Sequence, residues 1–369
     1  MPTPPSKVDP RLYFTPKAVQ LVLDERAAVD SPTYDEFFRD QADTWPMPQI
    51  GIGKLLELAR AQPLVVDGTE SVAIGRGEQA LGIVRPEPFR LNSFMSADEL
   101  NDMRLLPIPQ DRQTVADGHV RTIRNDLRVS IDGLCAQAIS EGKFAWPIKV
   151  DGGGFRLFGI DFTQLVSEND QILVVRPDVD LTQTNGVKAT DWVDYVDKVE
   201  DAFEARALAA PMKYRLGRNA WKGLMAVASN TKRTDSVKVE QGVEQIMVAT
   251  PEGQPQRYRH ESYIDVGGHR FVRYARTYHD LSINEAGNLV RSFKRVVPDD
   301  NVHAVSEGVR MQFRWLSISD LDIEFAALPL ALKTIDSKDP SGVKVLGQSR
   351  PVPIPIVRAI MNSPAKPEA

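Results

Sequence analysis

IDGLCAQAISEGKFAWPIKVDGGGFRLFGIDF, residues 131–162, changes its hydrophobic period halfway along. Upstream of Gly142 the apolar residues Val120, Ile123, Leu127, Ile131, Leu134 and Ala138 recur at spacings of three and four, which places them on one face of an α-helix. Pro107 and Pro109 precede this run, and Gly142 stands where a helix takes its left-handed terminal residue. The pattern predicts a helix near 111–140, roughly 45 Å long at about 1.5 Å per residue. Beyond Gly142 the period becomes two: Phe144, Trp146, Ile148 and Val150 alternate with other residues, and Phe155, Leu157 and Phe162 follow less regularly. Asp151 and three glycines separate the two runs. A phosphate-cradling loop leads from a strand into a helix N-terminus. Here a strand follows, so the glycines are read as a hairpin turn. Gly51-Ile52-Gly53-Lys54 also fails as a phosphate loop, because Pro48 and Leu55 occupy the positions that need glycine and Ser or Thr.

Upstream, prolines at 2, 4, 5, 10, 16, 32, 46 and 48 interrupt regular structure. The same stretch is nevertheless apolar: Leu12, Tyr13, Phe14, Val19, Leu21, Val22, Leu23, Tyr34, Phe37, Phe38 and Trp45. It reads as an arm that packs on another surface, within the chain or on a neighbour. Residues 54–60 predict a short helix. Residues 63–90, with short apolar runs between Asp67-Gly68 and Gly75-Arg76-Gly77, predict a projecting β-hairpin. Ser96 with Glu99 three positions on has the form of a capping box for a short helix.

Downstream, Trp192, Val196, Val199 and Phe203 predict an amphipathic helix from about Thr190, and Trp221, Leu224, Met225 and Val227 a second from Arg218 to Ser229. The polar stretch 231–262 is expected to hold loop and hairpin. The remainder reads as short strands ending in a proline-spaced tail, RPVPIPIVRAI, with no repeat period. The fold class is α+β.

A length of 369 residues, 42% hydrophobic and 26% charged, supports a sizeable core. A net charge of -5 argues against a dedicated nucleic-acid binder. The single cysteine, Cys135, excludes an internal disulfide, and it is expected to be a buried, inert thiol beside the helical stripe. The N-terminus lacks the pattern of a signal peptide, and no apolar run reaches the roughly 18 residues of a membrane helix. A soluble protein made in a reducing cytoplasm is expected. No catalytic signature of the common hydrolase, metalloprotease or dinucleotide-binding kinds appears. His260, His269 and His279 lie at spacings that do not suit metal ligands, among Arg257, Arg259, Arg270, Arg273 and Arg276. Those arginines are expected to form ion pairs with acids such as Glu261, Asp265 and Asp280 rather than to bind phosphate. No enzyme, cofactor or metal is expected.

The order of parts resembles the major capsid proteins of tailed bacteriophages, specifically the lambda-like major capsid protein E family with the HK97 fold. The residues that carry the resemblance are 131–162, DWVDYVDKVEDAFEARALAAPMKYRLGRNAWKGL (191–224), VPDDNVHAV (297–305) and QSRPVPIPIVRAIM (348–361). Thr163 stands where the family often has glycine, as does the position just before the turn at Ala210-Pro211, and 231–262 has no counterpart and is expected to be an insertion in an outward loop. The resemblance implies an N-arm (1–50), an E-loop (63–92), a P domain (93–180 and 306–346) with a spine helix near 111–140, an A domain (181–305) and a C-terminal tail (347–369). It implies hexamers and pentamers forming an icosahedral shell around double-stranded DNA, located in the virion and made in the host bacterial cytoplasm. A separate scaffolding protein, a decoration protein and a portal are the implied partners, with the packaged DNA touched without sequence specificity and no membrane involved. The expected subunit-interface residues are Leu12, Tyr13, Phe14, Tyr34, Phe37, Phe38 and Trp45 of the arm, with Arg76, Glu78, Arg85 and Arg90 of the E-loop. The alternatives are an encapsulin-like compartment shell and a soluble α+β enzyme or binding protein.

Overall fold

A computed structural model describes residues 13–14, 22, 30–51, 83–106, 108–150, 153–230, 237–248, 257–338 and 340–368. In chain order the elements are α1 (Pro32–Phe37), β1 (Ala42–Trp45), β2 (Ile50–Gly51), β3 (Ile83–Val84), β4 (Phe89–Ser96), α2 (Ala97–Leu105), α3 (Pro109–Glu141), β5 (Lys143–Lys149) and β6 (Phe155–Asp161). There follow α4 (Ala189–Glu204), β7 (Lys213–Leu216), α5 (Arg218–Asn230), β8 (Val239–Val248), β9 (Arg257–Val266), β10 (His269–Arg273), β11 (Thr277–Ile283) and β12 (Leu289–Arg295). The chain closes with β13 (Asn301–Val305), β14 (Gln312–Leu316), β15 (Ala331–Lys338), β16 (Ser341–Ser349), β17 (Pro351–Ile354) and β18 (Ile360–Pro364). This is a mixed helix-and-sheet fold, in line with the α+β expectation.

Helix α3 organises one half of the molecule. It ends where the sequence says it should, with Gly142 at φ 66° and its N–H on the carbonyl of Ala138. Its N-terminal part buries only a stripe, but every residue from Ile131 to Ser140 is buried. The last turns are covered all round. The hairpin β5–β6 covers one side and the ribbon β11–β12 another, and a Cβ on Gly133 would meet both the His279 carbonyl and the Trp146 ring. Strands β5 and β6 pair as the expected hairpin, with Val150 N–H donating to Gly154 O and Gly153 at φ 91°. Ser96 caps α2 by accepting the Glu99 N–H at 3.2 Å.

The other half is a six-stranded sheet in the order β18-β13-β7-β10-β9-β8, with α4 and α5 packed on it. Its core holds Trp192 edge-on to Phe271 at 5.2 Å, with Tyr214, Phe203 and Leu224. Within 231–262 the described residues include β8 and the start of β9, which pair antiparallel at the outer side of this sheet. The ribbon β11–β12 falls within the expected 181–305 unit but packs against α3 rather than on the sheet.

The described residues near both ends of the chain pack into sheets. Strand β1 runs parallel to β14, with Ala42 opposite Phe313, inside a sheet ordered β1-β14-β17. The proline-spaced ending is core: β17 is buried throughout. Arg350 accepts from Leu316 N–H, so the ladder side of β17 is carried by Arg350, Val352 and Ile354, while Pro351 and Pro353 turn their missing donors away on an edge strand. Further on, β18 joins the six-stranded sheet, and its neighbours Ile360 and Met361 enter different core clusters. The third sheet, β15-β16-β4, pairs Phe89–Ser96 with Ser341–Ser349 across the base of the expected E-loop.

Candidate assembly surfaces

Helix α1 has six residues, too few to hold itself together in water. Side chains from distant parts of the chain fix it. Asp132 on α3 accepts the backbone N–H groups of Thr33 at 2.7 Å and Tyr34 at 3.2 Å through Oδ1, supplying the cap that Ser31 does not. Ser31 instead donates to the Arg128 carbonyl, one turn before Asp132, and Arg128 reaches Asp35 at 3.4 Å. Burial raises the Asp132 carboxyl to about 6 against the opposing pull of its two N–H donors.

At the other end of α1, Glu36 Oε1 accepts Arg215 Nη2 at 2.7 Å and Nε at 3.0 Å, while Oε2 meets Arg276 and the Tyr274 hydroxyl. The Arg215 guanidinium also lies 4.6 Å from the Phe37 ring centre. Burial works to lower Arg215, and the Glu36 carboxylate outweighs it, so its pKa ends above the ordinary value. His303, edge-on to Phe37, is pushed down to about 3, by burial first and Arg215 second. It is therefore neutral at pH 7 and adds no further positive charge.

These contacts correct one expected interface residue. Phe38 is fully buried in its own subunit, 6.2 Å from Phe313, and has no surface left for a neighbour. The described apolar residues of this segment find partners on α3 and β14. Tyr34 packs edge-on against Phe313 and Trp315, and Tyr13, Phe14 and Phe37 line the same cluster while keeping part of their surface. Trp45 is half-buried and its indole N–H donates to Gln49 O. Arg85 and Arg90 are exposed. Leu12, Arg76, Glu78 and the predicted 54–60 helix lie outside the described residues.

Two arginines of the arginine-rich segment form ion pairs, Arg270 with Asp265 and Glu244, and Arg276 with Glu36, while Arg273 is exposed. His269 meets Glu200, His279 stacks on Phe293, and His260 is exposed on β9. Among the described residues no group of three metal-ligating side chains is gathered, and no helix is long and apolar enough to cross a membrane.

Two exposed apolar surfaces were not singled out by the sequence reading. The first is the loop between β14 and β15. Asp320 ties it down, accepting from Lys333 at 2.6 Å, Gln348 at 2.6 Å and the Asp322 N–H. Ile318 N–H bonds Ala326 O and Phe325 N–H bonds Asp320 O. Glu324 and Phe325 both take positive φ, 53° and 56°, a conformation that costs about 1–3 kcal/mol per non-glycine residue. The bend leaves Leu321 79% and Phe325 53% exposed, with Leu328, Asp322 and Glu324 beside them. An apolar LDIEFAALPL between two strands was the available signal. The second surface is β12. Tyr278 and Asp280 face α3, where Asp280 accepts from Gln137 and Lys294. The alternate positions of β12, Leu289, Arg291, Phe293 and Arg295, share the ribbon's other face; Arg291 and Phe293 are exposed, Phe293 by 70%, and Leu289 and Arg295 are half-buried. Strand β12 has no second strand partner among the described residues.

A family model described as phage major capsid protein E matches residues 22–362. No curated protein matches the chain. Solved structures give distant likenesses. A chain assigned as a prophage capsid protein of E. coli CFT073 is 14% identical, with a TM-score of 0.49 over 90% of this chain and 92% of that one. A phage-related protein of Bordetella bronchiseptica RB50 is 12% identical, with a TM-score of 0.44 over 94% and 96%. The capsid of an empty GTA particle is 10% identical, with a TM-score of 0.41 over 93% and 92%. At these values the family match carries the assignment, not the structural likeness.

Proposed function

The chain belongs to the phage major capsid protein E family, and from that premise we propose how its copies build the shell such proteins form. It is a structural protein of the virion capsid, associating with further copies of itself. In our reading the copies form hexamers and pentamers that close an icosahedral shell around double-stranded DNA. A separate scaffolding protein, a decoration protein and a portal complete the particle. The parts are an N-arm (1–50), an E-loop (63–92), a P domain (93–180 and 306–346) on helix α3, an A domain (181–305) and a C-terminal segment (347–369). Tyr13, Phe14, Tyr34, Phe37 and Trp45 retain surface for a neighbour, and Arg76, Glu78, Arg85 and Arg90 are assigned to E-loop contacts with the adjacent subunit. The protein performs no catalysis in this role.

The observation that carries the reading is the family match across residues 22–362. The large side chains left on the surface of the single chain, among them Phe293, Leu321, Phe325 and Met212, support it, since clustered exposed apolar side chains mark interaction sites. The test is expression of the full chain, negative-stain imaging and nuclease digestion of purified particles. Shells, with nuclease-protected DNA when packaging functions are present, are expected. Small particles at every concentration refute the reading, and shells that enclose protein but never DNA favour a compartment of the encapsulin kind.

A further inference from the structure

We propose that the loop of residues 320–328 packs on strand β12 of a second copy of the chain, making a head-to-tail subunit contact. This rests on the reading that the chain assembles with itself.

The two surfaces match in type and oppose in charge. The loop offers Leu321, Phe325 and Leu328 with Asp322 and Glu324 at its rim; the strand offers the exposed Phe293 and the half-buried Leu289, interleaved with Arg291 and Arg295. Asp322 is occupied by Lys333, and Arg295 by Asp299. Among the described residues Glu324 and Arg291 have no ion-pair partner, so each surface holds one uncommitted charge, of opposite sign. The loop is built in advance by Asp320 and its donors, and β12 is held against α3 through the Asp280 contacts of its partner strand. Neither surface needs ordering before it docks, which lowers the entropic cost of association.

The contact lies between copies, not within one. The loop leads into Leu330, which together with Ile123 of α3 surrounds Gly347, whereas the ribbon packs over Gly133. Those α3 positions are ten residues, or about 15 Å, apart along the helix axis. Self-pairing of either surface would bring like charges together, so the favoured contact joins unlike surfaces. Such heterologous contacts close into rings when the rotation permits, the arrangement a capsomer needs. An outer strand with unpaired backbone groups and an exposed phenylalanine is also an aggregation hazard unless something covers it.

The test uses the full chain carrying Phe293→Cys and Phe325→Cys together, and each alone. Under mild oxidation, particles of the double variant are expected to give a ladder of disulfide-linked chains, and the single variants none. In parallel, Arg291→Glu and Glu324→Lys are each expected to lower the assembled fraction about fivefold, the equivalent of about 1 kcal/mol. Combined, they are expected to restore it. Their unassembled subunits should melt like the parent, because both side chains are exposed. Particles that form but give no ladder, or reversals whose losses simply add, overturn this contact and leave the shell reading standing. A parent chain that never assembles overturns both.

Discussion

Thr33 and Asp132, 99 positions apart in the chain, are joined by a 2.7 Å hydrogen bond from the backbone N–H of one to Oδ1 of the other. A carboxylate in the last turns of helix α3 thus caps a different, very short helix and fixes where the N-terminal segment enters the subunit. Because burial raises Asp132 to about 6 from an ordinary 3.8, the folded state binds a proton more tightly than the unfolded state. Its contribution to stability is fully present below about pH 4 and is lost as pH rises through about 6. Asp132→Asn keeps an oxygen for both N–H donors and removes the charge. The variant is expected to melt with little pH dependence across that window, and to match or exceed the parent near pH 7.5 by up to about 3 kcal/mol. Melting curves from pH 4 to 8 decide it; a variant with the parent's slope, or one weaker at every pH, sinks the assignment.

Glu36 faces Arg215 and Arg276, whose side chains are only 11% and 14% exposed. Glu36→Gln leaves two largely buried guanidinium groups without the carboxylate they share, and breaking a buried pair from one side costs about 3–5 kcal/mol. Denaturant titration of the unassembled subunit is expected to show a loss of that order. A loss under about 1 kcal/mol would mean that water already satisfies the arginines.

Gly217 and Gly118 form a contrasting pair. A Cβ on Gly217 would lie 1.9 Å from the Pro298 carbonyl oxygen and 2.7 Å from that of Asp299, and these are backbone atoms that cannot swing aside. Gly118, inside α3, has nothing within 4 Å. Gly217→Ala is expected to cost about 3 kcal/mol or more, and Gly118→Ala to gain about 0.5–1 kcal/mol by removing a glycine from a helix interior. Equal melting temperatures for the two variants would show that the β7–α5 junction is looser than this geometry.

Local periodicity made α3, the β5–β6 hairpin, α4 and α5 legible, because each element's burial follows from residues a few positions apart. The N-terminal segment was not legible in the same way. Phe38 and Trp45 announce an apolar surface, but the partners that hold the segment, Asp132 and the Glu36–Arg215 pair, are 99 and 179 positions away. The final prolines read only as a proline-spaced tail. Only the pairing of β14 with β17 shows that they occupy the positions of an edge strand that need no donor. The apolar character of the loop at 320–328 was legible in the sequence, but its exposure was not, since exposure depends on what the rest of the chain covers.

Cys135 gives the last prediction. It is fully buried on α3, and burial first, then the nearby charges of Asp132 and Asp35, push its thiol well above the ordinary value. Thiol reagents attack the thiolate, so labelling requires both exposure and a proton lost against that shift. A chromogenic thiol reagent is expected to label the native subunit only at the rate of its unfolding, and to label it at once in strong urea. Cys135→Ala removes one sulfur from a packed site and is expected to cost about 1 kcal/mol, with assembly unchanged. Cys135→Ser is expected to cost more, because it places a hydroxyl among apolar neighbours that include Ile131, Ile139 and Phe313. Rapid labelling of native protein, or a serine variant milder than the alanine one, would show that solvent reaches this part of α3 and that its last turns are not the closed core described above.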